Sequence, residues 1–149
     1  MEVVSLLHLS SRSELRQWLE ENHNEEKCCW VVTYRGKRPE WPAIPYIEVV
    51  EEALCFGWID STLKKLPDGR LAQRLSPRRK NSHWTKLNMD RCIDLEDRGL
   101  MTPAGRRAFE NAYGWGYQVF HPTPEQRKQM IEEARERRPA LYEKMSQEK

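Results

Sequence analysis

The sequence lacks the features that identify a membrane, secreted or thiol-metal protein. No apolar run approaches the roughly 20 residues needed to cross a bilayer. Residues 1–9 have neither the basic start nor the small-residue cleavage site of a secretion signal. The 149 residues include only four cysteines, and no C-x-x-C spacing occurs, so the pattern favours neither a zinc site nor a redox pair. We therefore expect a cytoplasmic protein with reduced, buried thiols.

Motifs that identify common enzyme classes are also missing. There is no Gly-rich phosphate loop and no Gly-x-Ser-x-Gly elbow, which excludes the usual nucleotide-binding and hydrolase patterns. Four histidines are scattered, and no two of them have the i, i+4 spacing that places metal ligands on one helix face. On this basis we predict no cofactor and no metal.

Aromatic residues, by contrast, are plentiful. The mean hydropathy of −0.88 alone would suit a disordered chain, but the sequence has six Trp, five Tyr and three Phe. Disordered chains are poor in aromatic residues. The composition therefore indicates one folded domain with a real hydrophobic core.

The first half of the chain predicts helix, strand and helix. Ser11 and Glu14 form a capping box before an apolar stripe, which predicts a helix ending near Asn22. Residues 28–34 are rich in β-branched and aromatic side chains and predict a buried strand. Pro45 opens a second helix that should end at a left-handed Gly57. The acidic side chains of that helix are expected to form its N-terminal face, where the positive end of the helix dipole stabilises them; they are Glu48, Glu51 and Glu52.

A β-hairpin is predicted between residues 58 and 77, because Pro67-Asp68-Gly69 is a turn signal between two strand-like runs. If the turn is centred on Asp68, the apolar and polar side chains segregate onto opposite faces. The apolar face would contain Ile59, Leu63, Leu71 and Leu75, and the polar face Trp58, Asp60, Thr62, Lys64, Arg70, Arg74, Ser76 and Arg78. This register places Asp60 opposite Ser76 and within salt-bridge reach of Arg74.

Two further helices follow the hairpin. Asn88 is predicted to cap a helix that stops at Gly99, and Thr102-Pro103 opens the next one. Together the elements predict an α+β fold, in which a small antiparallel sheet (strand 28–34 plus hairpin 58–77) packs against several short helices. We place an α+β domain at residues 1–112 and a helical C-terminal extension of it at 113–149.

Three blocks of sequence carry a family resemblance. They are residues 51–61 (EEALCFGWIDS), residues 73–78 (QRLSPR) with Ser82, Trp84, Lys86 and Asn88 after them, and residues 99–105 (GLMTPAG). In order and spacing they resemble the bacteriocin-protection family, also called the YdeI or OmpD-associated family, over about residues 10 to 112. Leu75 departs from the pattern, since the family usually has Phe there. The resemblance implies a small cytoplasmic α+β domain linked to envelope stress, porins and bacteriocin tolerance, and it implies no catalytic residue.

The candidate ligand-binding residues lie on the hairpin's predicted polar face and just after it. They are Trp58, Asp60, Arg74, Ser76, Arg78, Ser82 and Trp84. Arginines can fork onto a carboxylate or phosphate, and tryptophan can supply an apolar wall. The same residues could instead form a structural ion pair and core packing, which is the plainer interpretation.

Three functional hypotheses remain open. We favour a non-enzymatic module that binds an anionic ligand or a protein partner through Arg74, Arg78 and Trp84. The first alternative is an enzyme acting on an anionic small molecule, with Asp60 as acid or base and Arg74 as clamp. The second, weaker alternative is nucleic-acid binding through residues 78–84. No membrane partner is expected.

Overall fold

The computed structural model describes residues 2–79 and 84–113, together with the isolated positions 125, 128, 129 and 132. Within them the chain forms five strands and four helices: β1 (Leu6–Leu7), α1 (Arg12–Asn22), β2 (Cys29–Tyr34), β3 (Ile44–Pro45), α2 (Tyr46–Cys55), β4 (Trp58–Lys65), β5 (Leu71–Pro77), α3 (Lys86–Asp97) and α4 (Pro103–Tyr113). The predicted α+β class is confirmed. Ser82 and most of the predicted extension 113–149 lie outside the described residues.

The strands form one mixed sheet in the order β1-β2-β5-β4, with β3 also paired to β2. The predicted strand and hairpin form its antiparallel centre, since β5 pairs antiparallel with both β2 and β4. Two short strands, β1 and β3, add parallel pairs to β2. The sheet is therefore not purely antiparallel as we expected, because two-residue strands are too short to show any periodicity in the sequence.

The first two helices begin and end where the sequence predicts. Ser11 is the N-cap of α1, and its hydroxyl accepts a hydrogen bond from the Glu14 backbone N–H at 3.3 Å. Pro45 immediately precedes α2 rather than being its first residue. Gly57 follows α2 with φ of +74°, the left-handed conformation that favours glycine, so the chain can turn directly into β4.

The third helix is capped one turn earlier than predicted. Thr85, not Asn88, is the N-cap of α3, and its hydroxyl accepts a hydrogen bond from the Asn88 backbone N–H at 3.1 Å. Either residue type can cap a helix, so their spacing alone did not decide between them. Gly99 follows α3 with φ of +73°, and α4 starts at Pro103, both as expected.

The hydrophobic core lies between the sheet and the four helices. Strand residues on the helix-covered face belong to it, including Cys29, Val31, Trp58 and Leu75. Each helix contributes fully or nearly fully buried side chains: Leu15 and Leu19 from α1, Val49 and Leu54 from α2, Cys92 and Leu95 from α3, and Phe109 from α4.

The closest approach between helices occurs at Gly105 of α4. A Cβ on this residue would lie 2.3 Å from the Cys55 carbonyl oxygen at the end of α2. The same carbonyl accepts hydrogen bonds from the Thr102 backbone N–H and hydroxyl. Only glycine permits this contact, which holds α4 against the end of α2.

Candidate anion-binding site

A β-bulge in β4 changes the register of the hairpin. Near the turn, Leu63 pairs with Gln73, as a turn centred on Asp68 predicts. Between Asp60 and Leu63 the register shifts, so that Asp60 pairs with Leu75. Three steps along β4 therefore match two along β5, and this one extra residue moves every side chain before the bulge to the other face.

The predicted pairing of Asp60 with Ser76 and Arg74 is wrong for this reason. Asp60 lies opposite Leu75, on the helix-covered face, whereas Arg74 and Ser76 lie on the other face of β5. The Arg74 guanidinium donates a hydrogen bond to the Ser61 hydroxyl at 3.3 Å instead. Asp60 and Arg74 cannot form one ion pair or act together in one site.

Trp58 belongs to the core. Its side chain is 1% exposed, and its ring meets that of Trp18 edge to face at a centroid distance of 5.9 Å. Such edge-to-face pairs are a favoured aromatic packing geometry. This placement matches the packing interpretation of Trp58, because the ring has almost no surface left for a ligand.

Asp60 is held by a tyrosine that the sequence analysis did not select. The Tyr46 hydroxyl, at the start of α2, donates a hydrogen bond of 2.6 Å to Asp60 Oδ2. Burial and the neighbouring Asp60 charge raise the Tyr46 pKa, while the Arg35 charge opposes that rise. The tyrosine therefore stays a neutral hydrogen-bond donor across the physiological pH range.

Arg35 covers this tyrosine. Its guanidinium carbon lies 3.9 Å from the centroid of the Tyr46 ring, which is a close cation–π contact. Arg35 comes directly after β2. Its contact with Tyr46 places it at the amino end of α2. Neither Arg35 nor Tyr46 stands in a recognisable motif, and only the tertiary fold brings them to Asp60.

Arg78 lies near Asp60 and stacks on Trp84. The guanidinium carbon of Arg78 lies 3.7 Å from the centroid of the Trp84 ring. Trp84 is 9% exposed and meets Phe109 of α4 edge to face at 5.7 Å, so its ring is fixed by the core. Burial lowers the Arg78 pKa, while the nearby Cys92 and Asp60 oppose the shift. The guanidinium nevertheless keeps its charge at any physiological pH.

These residues form what we call the Tyr46–Asp60 cluster, defined as Arg35, Tyr46, Asp60, Arg78 and Trp84. It contains two guanidinium groups and one carboxylate, so it carries a net positive charge at neutral pH. Of the predicted site residues, it brings together Asp60, Arg78 and Trp84. Trp58, Arg74 and Ser76 lie elsewhere, and Ser82 lies outside the described residues.

A second ionic group lies between the helices and corrects the prediction that the acidic side chains form the N-terminal face of α2. Only Glu48 lies in the first turn of α2. Glu51 and Glu52 come after it and are buried, at 3% and 0% exposure. Arg12 of α1 contacts both carboxylates, at 3.2 Å and 2.6 Å. Arg16 contacts Glu52 at 3.1 Å, and Arg98 contacts Glu51 at 2.6 Å. The carboxylates therefore bind three helices together.

Other site chemistries find no support in the part of the chain that the structure describes. There, no group of three or more His, Cys, Asp or Glu side chains is placed to hold a metal ion. No helix in the same ranges is long and apolar enough to span a membrane. Burial raises the pKa of the Cys29 and Cys55 thiols to about 12, so neither is a thiolate at neutral pH.

Comparison with known proteins assigns the chain to a family without assigning an activity. Searches of the curated proteins and of the solved structures gave no match. One family model matches residues 7–108, which include β2 to β5, α1 to α3 and the first six residues of α4. The matched range also contains every residue of the Tyr46–Asp60 cluster. The chain therefore belongs to the family described as a domain of unknown function, DUF8412.

Proposed function

We propose that the chain is a binding domain for a small anionic ligand, which it engages at the Tyr46–Asp60 cluster. The observation that carries this proposal is the pair of stacked arginines, Arg35 on Tyr46 and Arg78 on Trp84, near the Tyr46–Asp60 hydrogen bond. The resemblance to the bacteriocin-protection family agrees with a binding role, since that family implies no catalytic residue.

Stacking on an aromatic ring orients a guanidinium group so that it can bind an anion. The aromatic ring contacts the flat face of the group, and its five N–H donors lie in the plane, where they fork onto a carboxylate or phosphate. Because the ring fixes the plane, less side-chain entropy is lost when an anion binds. Trp84 is itself packed against Phe109, so the ring beneath Arg78 is fixed by the core.

Asp60 and Tyr46 would select among anions. The carboxylate of Asp60 repels a second carboxylate unless that ligand also presents a hydroxyl or amine to Asp60. Tyr46 keeps its proton and donates a hydrogen bond to Asp60, which orients the carboxylate. We therefore propose that the ligand carries an anionic group for Arg78 and a hydrogen-bond donor for Asp60, as hydroxy acids and nucleoside monophosphates do.

The proposal is tested by measuring the melting temperature of the full chain in the presence of anions. Inorganic phosphate, citrate, a hydroxy acid and nucleoside monophosphates serve as probes, and a ligand at 100 times its Kd should stabilise the fold by about 2.7 kcal/mol. The Arg78→Lys variant keeps the charge but loses the fork, and should lose most of that stabilisation. Arg79→Lys is the matched control, since Arg79 is the exposed neighbour.

Two outcomes would refute the proposal. One is a wild-type protein whose melting temperature responds to none of these anions beyond an ionic-strength effect. The other is a ligand that stabilises Arg78→Lys as well as it stabilises the wild type, because binding would then occur elsewhere. A circular dichroism spectrum of each variant without ligand shows whether the fold is retained.

A further inference from the structure

A second surface lies at the end of the sheet where β2 stops and the β4–β5 turn begins. Three large apolar side chains are exposed within the described residues, namely Val4 at 51%, Trp41 at 38% and Leu63 at 38%. Trp41 lies in the loop between β2 and β3, and its Cη2 atom is 4.0 Å from the position of a Cβ on Gly69. An exposed indole therefore rests on the hairpin turn rather than in the core.

Basic residues lie next to this tryptophan in the sequence and around the neighbouring β4–β5 turn. We define the Trp41 patch as residues 37–41 and 63–70. It contains five basic residues and two acidic ones, a net charge of +3, whereas the whole chain has a net charge of +2. One of the acids, Asp68, is already paired with Arg70 at 2.7 Å. Lys37, Arg38 and Lys65 are exposed, so the patch is a local source of positive potential.

We infer that the Trp41 patch binds single-stranded nucleic acid. An exposed indole stacks on any unpaired base, and neighbouring lysines and arginines neutralise the phosphates on either side of it. Charge complementarity alone would also suit an acidic peptide. The indole favours nucleic acid, because every nucleotide offers a flat ring next to a phosphate, whereas a run of acidic side chains offers none.

The loop geometry also suits a stacking platform. Pro39 and Pro42 flank Trp41 closely, and proline fixes the backbone φ angle. The contact with the hairpin turn supports the indole from the other side. The ring is therefore held before any base arrives, which lowers the entropic cost of stacking. This inference does not depend on the proposed function, since no residue of the Tyr46–Asp60 cluster belongs to the patch.

Fluorescence anisotropy of the full chain with an end-labelled oligothymidylate or oligouridylate of about 15 nucleotides tests the inference. Wild type should bind at low salt. Trp41→Ala should weaken binding by about tenfold or more, while Trp41→Phe, which keeps a ring, should lose less. In Lys37→Gln/Lys65→Gln the slope of log affinity against log salt should fall by about 1.4, since each phosphate contact contributes about 0.7.

Controls separate this surface from general charge attraction. Lys27→Gln/Arg107→Gln removes two exposed positive charges far from the patch in sequence and should leave affinity nearly unchanged. No oligonucleotide binding at low salt, equal binding by Trp41→Ala, or full displacement by a polyglutamate peptide at equal charge would each overturn the inference.

Discussion

Removing the negative charge of Glu52 should destabilise the fold more than any other single neutralisation of a carboxylate in α2. Glu52 is fully buried. Its two oxygens accept hydrogen bonds from Arg12 at 2.6 Å and from Arg16 at 3.1 Å. The Glu52→Gln change keeps the shape of the side chain but leaves two guanidinium groups facing a neutral amide whose NH₂ group cannot accept their hydrogen bonds.

The magnitude follows from what happens to the arginines. Breaking a buried ion pair by removing one partner costs about 3–5 kcal/mol, because the remaining charge stays buried without compensation. Arg12 and Arg16 are 27% and 26% exposed, so water can partly solvate them. We therefore expect about 3 kcal/mol, near the lower end. For a chain of this size that loss lowers the melting temperature by roughly 6–12 °C.

Urea denaturation followed by tryptophan fluorescence measures the change. Glu20→Gln is the matched control, because Glu20 also contacts Arg16, at 3.7 Å, but is 57% exposed. It should change the free energy of unfolding by less than about 0.5 kcal/mol. If Glu52→Gln were as mild as Glu20→Gln, the claim that these buried carboxylates bind the helices together would fail.

Two further predictions concern packing and pH. Gly105→Ala should destabilise the fold by about 1–3 kcal/mol despite the better helix propensity of alanine, because the methyl group would overlap the Cys55 carbonyl oxygen. A variant that urea denaturation shows to be more stable than wild type would contradict that contact. Stability should also fall between pH 9 and 12. Burial raises the folded-state pKa of Cys29 and Cys55 to about 12 and raises that of Cys92 as well, so the unfolded chain loses these protons first. The free energy of unfolding should fall by up to about 4 kcal/mol per pH unit for three thiols. Cys55→Ala should reduce this slope by about a third. Denaturation midpoints that stay constant from pH 8 to pH 10 would refute the prediction.

The secondary structure was predictable wherever one local signal decided it. Ser11 with Glu14, Gly57, and the Pro67-Asp68-Gly69 turn each act within a few residues of themselves, and the structure confirms the elements they predicted. The parallel strands β1 and β3 were not predictable, because two residues carry no period. The position of the bulge could not be predicted from the hairpin sequence either. It depends on which strand register buries the most apolar surface across three strands.

The candidate site was predictable only in part, for a related reason. Asp60, Arg78 and Trp84 were predicted from their place on the hairpin and just after it, and the structure brings them together. The side chains that orient them, Tyr46 and Arg35, come from another helix and another strand. The burial of Glu51 and Glu52 was not predicted, because the three acidic residues of α2 were expected to form the N-terminal face of the helix. Three arginines, two from α1 and one directly after α3, pair with these carboxylates instead. No local sequence pattern predicts that pairing.

The bulge in β4 has a consequence for self-association. Among the described strands, β4 has only β5 as a neighbour, so its other side presents backbone donors and acceptors to any second chain. A straight outer strand of this kind is a template for cross-pairing and fibre growth. The bulge at residues 60–63 and the charged Lys64 and Lys65 are features that disfavour such pairing. We therefore expect the single extra residue that separates Asp60 from Arg74 also to disfavour edge-to-edge pairing with a second copy.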